Sequence, residues 1–132
     1  MAKQKGATML KVVLVIYAIV VLVYGLSFLF IPGLYVDMAG ANPVDYGWLR
    51  WPGGVLIALG IGALLVMRKP AKQGVFVTTI ALACSLAGLA MLYSWIMTEY
   101  SGAVWFIAMP TIIILVLAVL LWWSRVQAKK IL

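Results

Sequence analysis

Four long stretches without a charged residue constrain this chain more than any other feature. They lie between Lys11 and Asp37, Arg50 and Arg68, Lys72 and Glu99, and Glu99 and Arg125, and they hold 25, 17, 26 and 25 residues. A helix that crosses the hydrocarbon core of a bilayer needs about 20 predominantly apolar residues. The sequence therefore predicts four transmembrane helices, at about residues 11–31, 48–67, 74–97 and 103–124.

Length and composition favour a single transmembrane domain over residues 1–132. The chain is 67% hydrophobic and 10% charged, whereas about a quarter of the residues in a soluble domain are charged. Short connections between helices make neighbours antiparallel. We therefore expect an all-α integral membrane protein, a four-helix antiparallel bundle with up-down-up-down topology. The longest connection, Pro32 to Gly47, is expected to hold a short interfacial helix at about Leu34 to Met38.

The distribution of charge predicts which way the chain crosses the membrane. Nine of the ten basic residues fall on one side of the predicted spans, namely Lys3, Lys5, Lys11, Arg68, Lys69, Lys72, Arg125, Lys129 and Lys130. Arg50 shares the other side with the three acids Asp37, Asp45 and Glu99. Loops rich in Lys and Arg stay in the cytoplasm. The sequence thus predicts a multi-pass protein of the cell (cytoplasmic) membrane with both termini in the cytoplasm.

The residue inventory argues against several functions. The net charge of +7 comes from three short clusters between apolar runs, and not from the basic face that nucleic acid binding requires. The chain has no histidine, the commonest metal ligand and general base. Its one cysteine, Cys84, lies in mid-span and is interpreted as a small hydrophobe. We expect no enzyme, no metal site and no cofactor, and no proton-coupled transport through a membrane-embedded carboxylate.

Arg50 is the most suggestive candidate for a binding site. It stands at the membrane boundary, where a cation requires a carboxylate or a lipid phosphate. Asp45 and Glu99 are the candidate partners, Asp45 being nearest in sequence and Glu99 lying at the end of the third span. Two interpretations stay open: a structural ion pair, which the sequence favours, or recognition of an anionic head group or substrate.

Tyr24 is a second candidate ligand residue. It lies seven residues after Tyr17 and one turn before Ser27, on one face of the first span. A tyrosine hydroxyl in hydrocarbon requires a hydrogen-bond partner. The expected partners are backbone groups or the hydroxyls of Thr78, Ser85 or Ser94 in other spans, and the alternative is a polar lining for a ligand cavity.

The second span carries small residues at four-residue spacing, Gly54, Ala58 and Gly62. Such spacing lets another helix backbone approach closely. The partner is either another helix of this bundle, such as the third span with its stripe Thr79, Ala83 and Ala87, or another chain.

Short motifs in the first half of the chain resemble small DoxX-like proteins and related four-helix membrane families. They are Tyr24-Gly25, Phe28, Phe30, Pro32, Leu49-Arg50-Trp51, Gly53-Gly54 and Gly60. The resemblance implies a four-helix bundle, in some members an accessory subunit of a quinone-linked redox complex, with Arg50, Gly53 and Gly54 as characteristic positions.

These observations together favour a non-catalytic accessory or assembly subunit of a larger membrane complex. Its partners would be the lipid bilayer and other membrane subunits, or itself, with no role for nucleic acid. The alternative is a protein that binds a lipid, quinone or other apolar ligand between its helices, with Arg50 at the outer mouth.

Overall fold

The computed structural model describes residues 2–132, with side chains described from Gln4 onward. Lys3, which the charge argument counted, has its side chain outside these described residues. The described chain forms five helices: α1 (Ala2–Phe30), α2 (Pro32–Ala39), α3 (Gly47–Arg68), α4 (Gly74–Ile96) and α5 (Trp105–Gln127). Four of them, all except α2, are long and apolar enough to cross a membrane. The prediction of an all-α membrane protein with four spans is confirmed.

The helix α1 is longer than the span predicted within it. It begins at Ala2, whereas the predicted span begins at about residue 11. The charged residues Lys5 and Lys11 mark where the chain leaves hydrocarbon, but lysine is a good helix former in water. The first turns of α1 therefore extend beyond the apolar stretch.

The short helix α2 confirms that a helix forms around Leu34 to Met38; its place at the membrane interface stays a prediction. Pro32 begins it, because proline lacks the N–H that would continue α1 and is well suited to the first position of a new helix. Gly40 ends it in the left-handed conformation at φ +62°. The N–H of Ala41 then donates to the carbonyl oxygen of Val36 over 3.2 Å, a bond typical of a glycine-terminated helix.

The four long helices pack in the order α3–α1–α5–α4. Most contacts join α1 to α3 and α4 to α5, and the two pairs meet through α1 and α5. The helices α1 and α3 approach each other closely: a Cβ atom placed on Gly53 would lie 2.8 Å from the carbonyl oxygen of Gly25 and 2.8 Å from the nitrogen of Leu29. Only glycine allows two backbones to come this near.

The antiparallel pair α4–α5 is joined by two hydrogen bonds between side chains. Arg125 Nε donates to Thr78 Oγ1 over 2.6 Å, and Trp122 Nε1 donates to Ser85 Oγ over 3.0 Å. Thr78 and Ser85 were expected as partners for the tyrosines of the first span. In the structure these hydroxyls face α5 instead.

Both termini and the α3–α4 connection lie at one end of the bundle, called here the terminal end. Gly6 packs against the backbone of Gln127, and the N–H of Lys72 donates to the carbonyl oxygen of Ile131 over 2.9 Å. The opposite end, called the far end, holds α2 and the connections 40–46 and 97–104. The basic clusters on the described residues therefore gather at the terminal end, as the sequence predicted.

The buried core is concentrated in the half of the bundle near the terminal end. It draws on all four long helices, over residues 10–21 of α1, 63–66 of α3, 77–84 of α4 and 117–121 of α5. There Phe76 of α4 reaches Gly62 of α3, although these two helices otherwise make few contacts. Towards the far end α1 and α3 stay in close contact, while a cavity lies between α1, α2 and α5.

Candidate functional site: a lateral apolar cavity

A cavity of about 410 Å³ lies between α1, α2 and α5 in the far half of the bundle. Its lining is almost entirely aliphatic and aromatic, and consists of Ile19, Val20, Val23, Tyr24, Ser27, Ile31, Leu34, Tyr35, Met38, Trp105, Phe106, Met109 and Ile113. Small-molecule sites in proteins occupy about 300–1,000 Å³ and are lined in this way, with few polar groups. The cavity is therefore the candidate functional site.

The cavity opens sideways, towards the lipid. The side chains along its rim are exposed on the bundle surface, namely Ile19, Val23, Ile31, Leu34, Met38, Trp105 and Met109. Its floor consists of partly buried side chains, Val20, Tyr24, Ser27, Tyr35, Phe106 and Ile113. A molecule could thus move from the bilayer into the cavity without crossing water.

A cluster of aromatic rings closes the cavity at its far end. The ring centroids of Tyr35 and Phe28 are 4.8 Å apart, and those of Tyr35 and Phe106 are 5.5 Å apart, both edge-to-face. Tyr24 and Tyr35 stand 6.5 Å apart, also edge-to-face. This is the geometry that aromatic pairs prefer. Tyr35 of α2 is at the centre of the cluster and so connects α2 to both α1 and α5.

Close loop contacts position α2 over the cavity. The N–H of Ala103 donates to the carbonyl oxygen of Ala39 over 2.8 Å. Gly102, at φ +87°, lies so close to this carbonyl that it leaves no room for a side chain. The hydroxyl of Tyr46 would be 2.8 Å from a Cβ atom on Gly33. The end of α2 is therefore fixed against the segment that leads into α5.

The polar atoms of the lining are few and uncharged. Ser27 Oγ donates to the carbonyl oxygen of Val23 over 2.8 Å, within its own helix. The other polar side chains of the lining are Tyr24 and Tyr35, each with a hydroxyl, and Trp105, with an indole N–H. Burial, with a smaller contribution from Tyr24, raises the pKa of Tyr35 to about 12. A tyrosine is protonated at physiological pH even at its ordinary pKa of about 10, so the hydroxyl of Tyr35 can donate a hydrogen bond.

Of the predicted ligand residues, the structure brings only Tyr24 to this cavity. Tyr17, seven residues earlier, is buried in the core near the terminal end. Asp45, Glu99 and Arg50 do not line the cavity. The prediction of Arg50 at the mouth of an apolar site is therefore wrong for this cavity, because Arg50 is on α3, which packs on a different side of α1.

The predicted ion pair of Arg50 is corrected to a bond with the backbone. Arg50 Nη1 donates to the carbonyl oxygen of Leu29 over 2.8 Å. The last carbonyls of a helix lack partners within it, and they form the negative end of its dipole. Leu29 is in the last turn of α1, so it offers Arg50 an acceptor across the helix pair. The carboxylate of Glu99 is instead 3.4 Å from Ser94 Oγ.

The predicted small-residue face is divided in the structure. Gly62 meets the ring of Phe76 in α4, with a Cβ position 2.9 Å from that ring. A Cβ atom on Gly54 would have no atom within 4 Å, and Ala58 is exposed. The close packing inside this chain uses Gly53 and the buried Gly60 instead. Gly54 and Ala58 therefore do not pack inside the bundle, and their alternative role against another chain stays a prediction.

Sequence reasoning missed most of the cavity. The sequence pattern did not identify Tyr35, Trp105, Phe106 or Met109 as candidate site residues. The signal that could have found them is the Pro32 break, which turns α2 back towards the helices. Among the described residues, no group of three His, Cys, Asp or Glu side chains could hold a metal ion.

Comparison with known proteins gives one relationship. Residues 9–124 match a family described as a domain of unknown function, DUF4345. No curated protein and no solved structure matches the chain. Because the match runs from the first transmembrane helix to the last turns of the fourth, the chain belongs to the DUF4345 family.

Proposed function

We propose that this protein is a non-catalytic integral membrane protein that holds an apolar small molecule in the lateral cavity between α1, α2 and α5. The observation that carries the proposal is the cavity itself. It has about 410 Å³ of space, a partly buried floor and a rim that faces lipid. Three helices contribute to its lining, and that lining is almost entirely apolar, as it is in small-molecule sites.

The chemistry of the lining supports a role without catalysis. Ser27 is the only lining residue with an aliphatic hydroxyl, and that hydroxyl is bonded to a carbonyl oxygen. Activation of such a nucleophile needs an adjacent base, and no lining residue is a histidine, lysine or carboxylate.

The proposal is tested by filling the cavity. Val23→Phe places a larger side chain on the rim, and Val116→Phe is the matched control. The two valines are exposed to similar extents, 59% and 52%, but Val116 does not line the cavity. The protein is purified in nanodiscs, and native mass spectrometry records the small molecules that remain bound. We expect Val23→Phe to lose a bound apolar molecule that the wild type and the control retain. Equal retention by all three proteins would overturn the proposal.

An accessory or assembly subunit is the second candidate function. The open space at Gly54, beside the exposed Ala58, favours it, because small residues on a lipid-facing surface allow another helix to approach. The resemblance to DoxX-like proteins also supports this role, and we propose that the chain is related to those proteins. Gly54→Leu would then abolish co-purification of a partner at fixed stoichiometry while the isolated chain stays folded. Unchanged co-purification would contradict this role.

For the location, we propose the cytoplasmic membrane with the terminal end in the cytoplasm. The support is the excess of basic residues at that end over the single Arg50 at the far end. In this orientation the cavity opens into the outer leaflet.

A further inference from the structure

We infer that the occupant of the lateral cavity is an uncharged amphiphile with a single hydrocarbon chain, held within one leaflet with its polar group towards the far end. The inference rests on the proposed function, which it makes specific. It depends on three properties of the cavity: the charge of its lining, the arrangement of its polar and apolar groups, and its size.

The lining has no charge to offer a ligand. All thirteen lining residues are neutral at physiological pH, since none is a lysine, arginine, histidine or carboxylate. Arg50, the one basic residue of the far end, is bonded to Leu29 instead. An ionised group brought into an apolar site without a partner costs far more than a hydroxyl that finds one. The lining therefore selects against carboxylates, phosphates and ammonium groups.

The polar groups are concentrated at one end of the cavity. On α5 the lining runs from Trp105 to Ile113, eight residues or about 12 Å of helix. The end near Ile113 also contains Ile19 and Val20 and is aliphatic, whereas Trp105, Tyr24 and Tyr35 stand nearer the far end. The hydrocarbon core of a bilayer is about 30 Å thick, so a cavity about 12 Å long stays within one leaflet. A ligand would place its chain at the aliphatic end and a hydroxyl or carbonyl among the aromatic side chains.

The size of the cavity favours one chain over two. Its volume of about 410 Å³ lies near the lower limit of about 300–1,000 Å³ for small-molecule sites. If each water-sized group of a ligand fills about 30 Å³, the cavity has room for about fourteen such groups. One chain with a small polar group has this size, whereas a diacyl phospholipid brings two chains and a charged head.

Photo-crosslinking in nanodiscs tests the inference with probes that differ in one property each. The probes are a diazirine-bearing fatty alcohol, the fatty acid of the same chain, and a phosphatidylglycerol with that diazirine on one of its two chains. Peptide mass spectrometry locates the adducts. We expect the alcohol to label the lining peptides, around Val23 and Met109, at least about tenfold more than the phospholipid, a difference of about 1.4 kcal/mol. The fatty acid should label the lining weakly at alkaline pH, where it is ionised. Acidification protonates the acid, and its labelling yield should then approach that of the alcohol.

Hydroxyl deletion provides the second readout. Tyr24→Phe and Tyr35→Phe keep the rings and so should keep the fold, which gel filtration checks. We expect the double variant to label several-fold less with the alcohol. Tyr93→Phe, an exposed tyrosine on α4 outside the cavity, should label like the wild type. An unchanged labelling yield in the double variant would show that these two hydroxyls do not hold the polar group of the ligand.

The outcomes separate this inference from the proposed function. If the ionised acid or the phospholipid labels the lining as well as the alcohol, the neutral single-chain ligand is wrong, although the cavity still binds an apolar molecule. If no probe labels the lining above the surface around Val116, both the inference and the proposed function fail.

Discussion

Gly53 and Gly54 are adjacent in α3, yet their surroundings are opposite. A Cβ atom on Gly53 would lie 2.8 Å from backbone atoms of α1, whereas one on Gly54 would meet nothing within 4 Å. The difference follows from helix geometry, because consecutive residues point about 100° apart around the axis. At the scale of single residues, the packing of α1 against α3 therefore depends on one glycine and not on its neighbour.

This contrast gives a prediction with a built-in control. Gly53→Ala forces α1 and α3 apart, and we expect a loss of about 1–3 kcal/mol in the free energy of unfolding, the usual cost of overpacking. Gly54→Ala should be neutral or stabilising by up to about 1 kcal/mol, since alanine favours helix and has room. Unfolding in detergent followed by circular dichroism measures both. Equal effects of the two substitutions would contradict the packing described here.

Thr98 has a backbone conformation that its side chain disfavours. It lies just after α4 at φ +60°, where the N–H of Glu99 donates to the carbonyl oxygen of Ser94 over 2.8 Å. Glycine is the usual residue at this position after a helix, and a β-branched residue there is an outlier.

Thr98→Gly should consequently stabilise the protein. Removal of the left-handed strain is worth about 1 kcal/mol, visible as a higher midpoint of thermal unfolding in detergent. Thr79→Gly is the control: Thr79 is exposed within α4, so glycine there should lower the midpoint. A lower midpoint for Thr98→Gly as well would show that the loop depends on the threonine side chain.

At the scale of helices, α2 is the element that makes the cavity. Pro32 ends α1, and α2 then packs through Tyr35 between α1 and α5. Without that turn the chain would leave the far end directly, and the groove between α1 and α5 would have no aromatic end. The contact between Gly102 and Ala39 fixes the other end of α2.

Arg50 joins two helices through a carbonyl oxygen, and this predicts an unusual mutational pattern. Arg50→Ala should cost about 1 kcal/mol, the net value of one hydrogen bond. Asp45→Asn and Glu99→Gln should leave both the wild type and the Arg50 variant unchanged in stability. A double-mutant cycle measures this independence. A coupling energy of more than about 0.5 kcal/mol between Arg50 and either carboxylate would restore the ion pair first predicted from the sequence.

At the scale of the whole molecule, the buried core and the cavity occupy different halves of the bundle. The core residues of all four long helices gather near the termini, and hydrogen bonds from Arg125 and Trp122 secure α4 to α5 in this half. The far half holds α2 and the cavity instead. The half near the termini therefore contains most of the buried core, and the far half contains the space for a ligand.

The orientation of this whole molecule is open to direct test. Cys84→Ala removes the one native thiol, and single cysteines are then placed at Ala71, in the α3–α4 connection, and at Val44, in the α2–α3 connection. In intact cells, a membrane-impermeant maleimide should label the cysteine at 44 and not the cysteine at 71. Labelling of position 71 from outside would reverse the proposed topology.

The sequence by itself determined the number of spans, their approximate bounds and the short helix between the first two spans. These properties depend on local composition: uncharged runs long enough to cross a bilayer, and a proline and a glycine that end helices. The gathering of basic residues at one end followed in the same way, because consecutive short connections alternate between the two ends.

Only the tertiary structure decided which faces meet. A shift of one residue moves a side chain about 100° around a helix, so four-residue spacing could not distinguish Gly54 from Gly53 as the packing position. Arg50 found a carbonyl oxygen of α1, a partner that no sequence pattern marks, because every residue carries one. The cavity depends on the distances between α1, α2 and α5, which are set by packing across the whole bundle. Tyr24 was recognised from its place in hydrocarbon, but Tyr35 and Phe106 became its neighbours only when the chain folded back at Pro32.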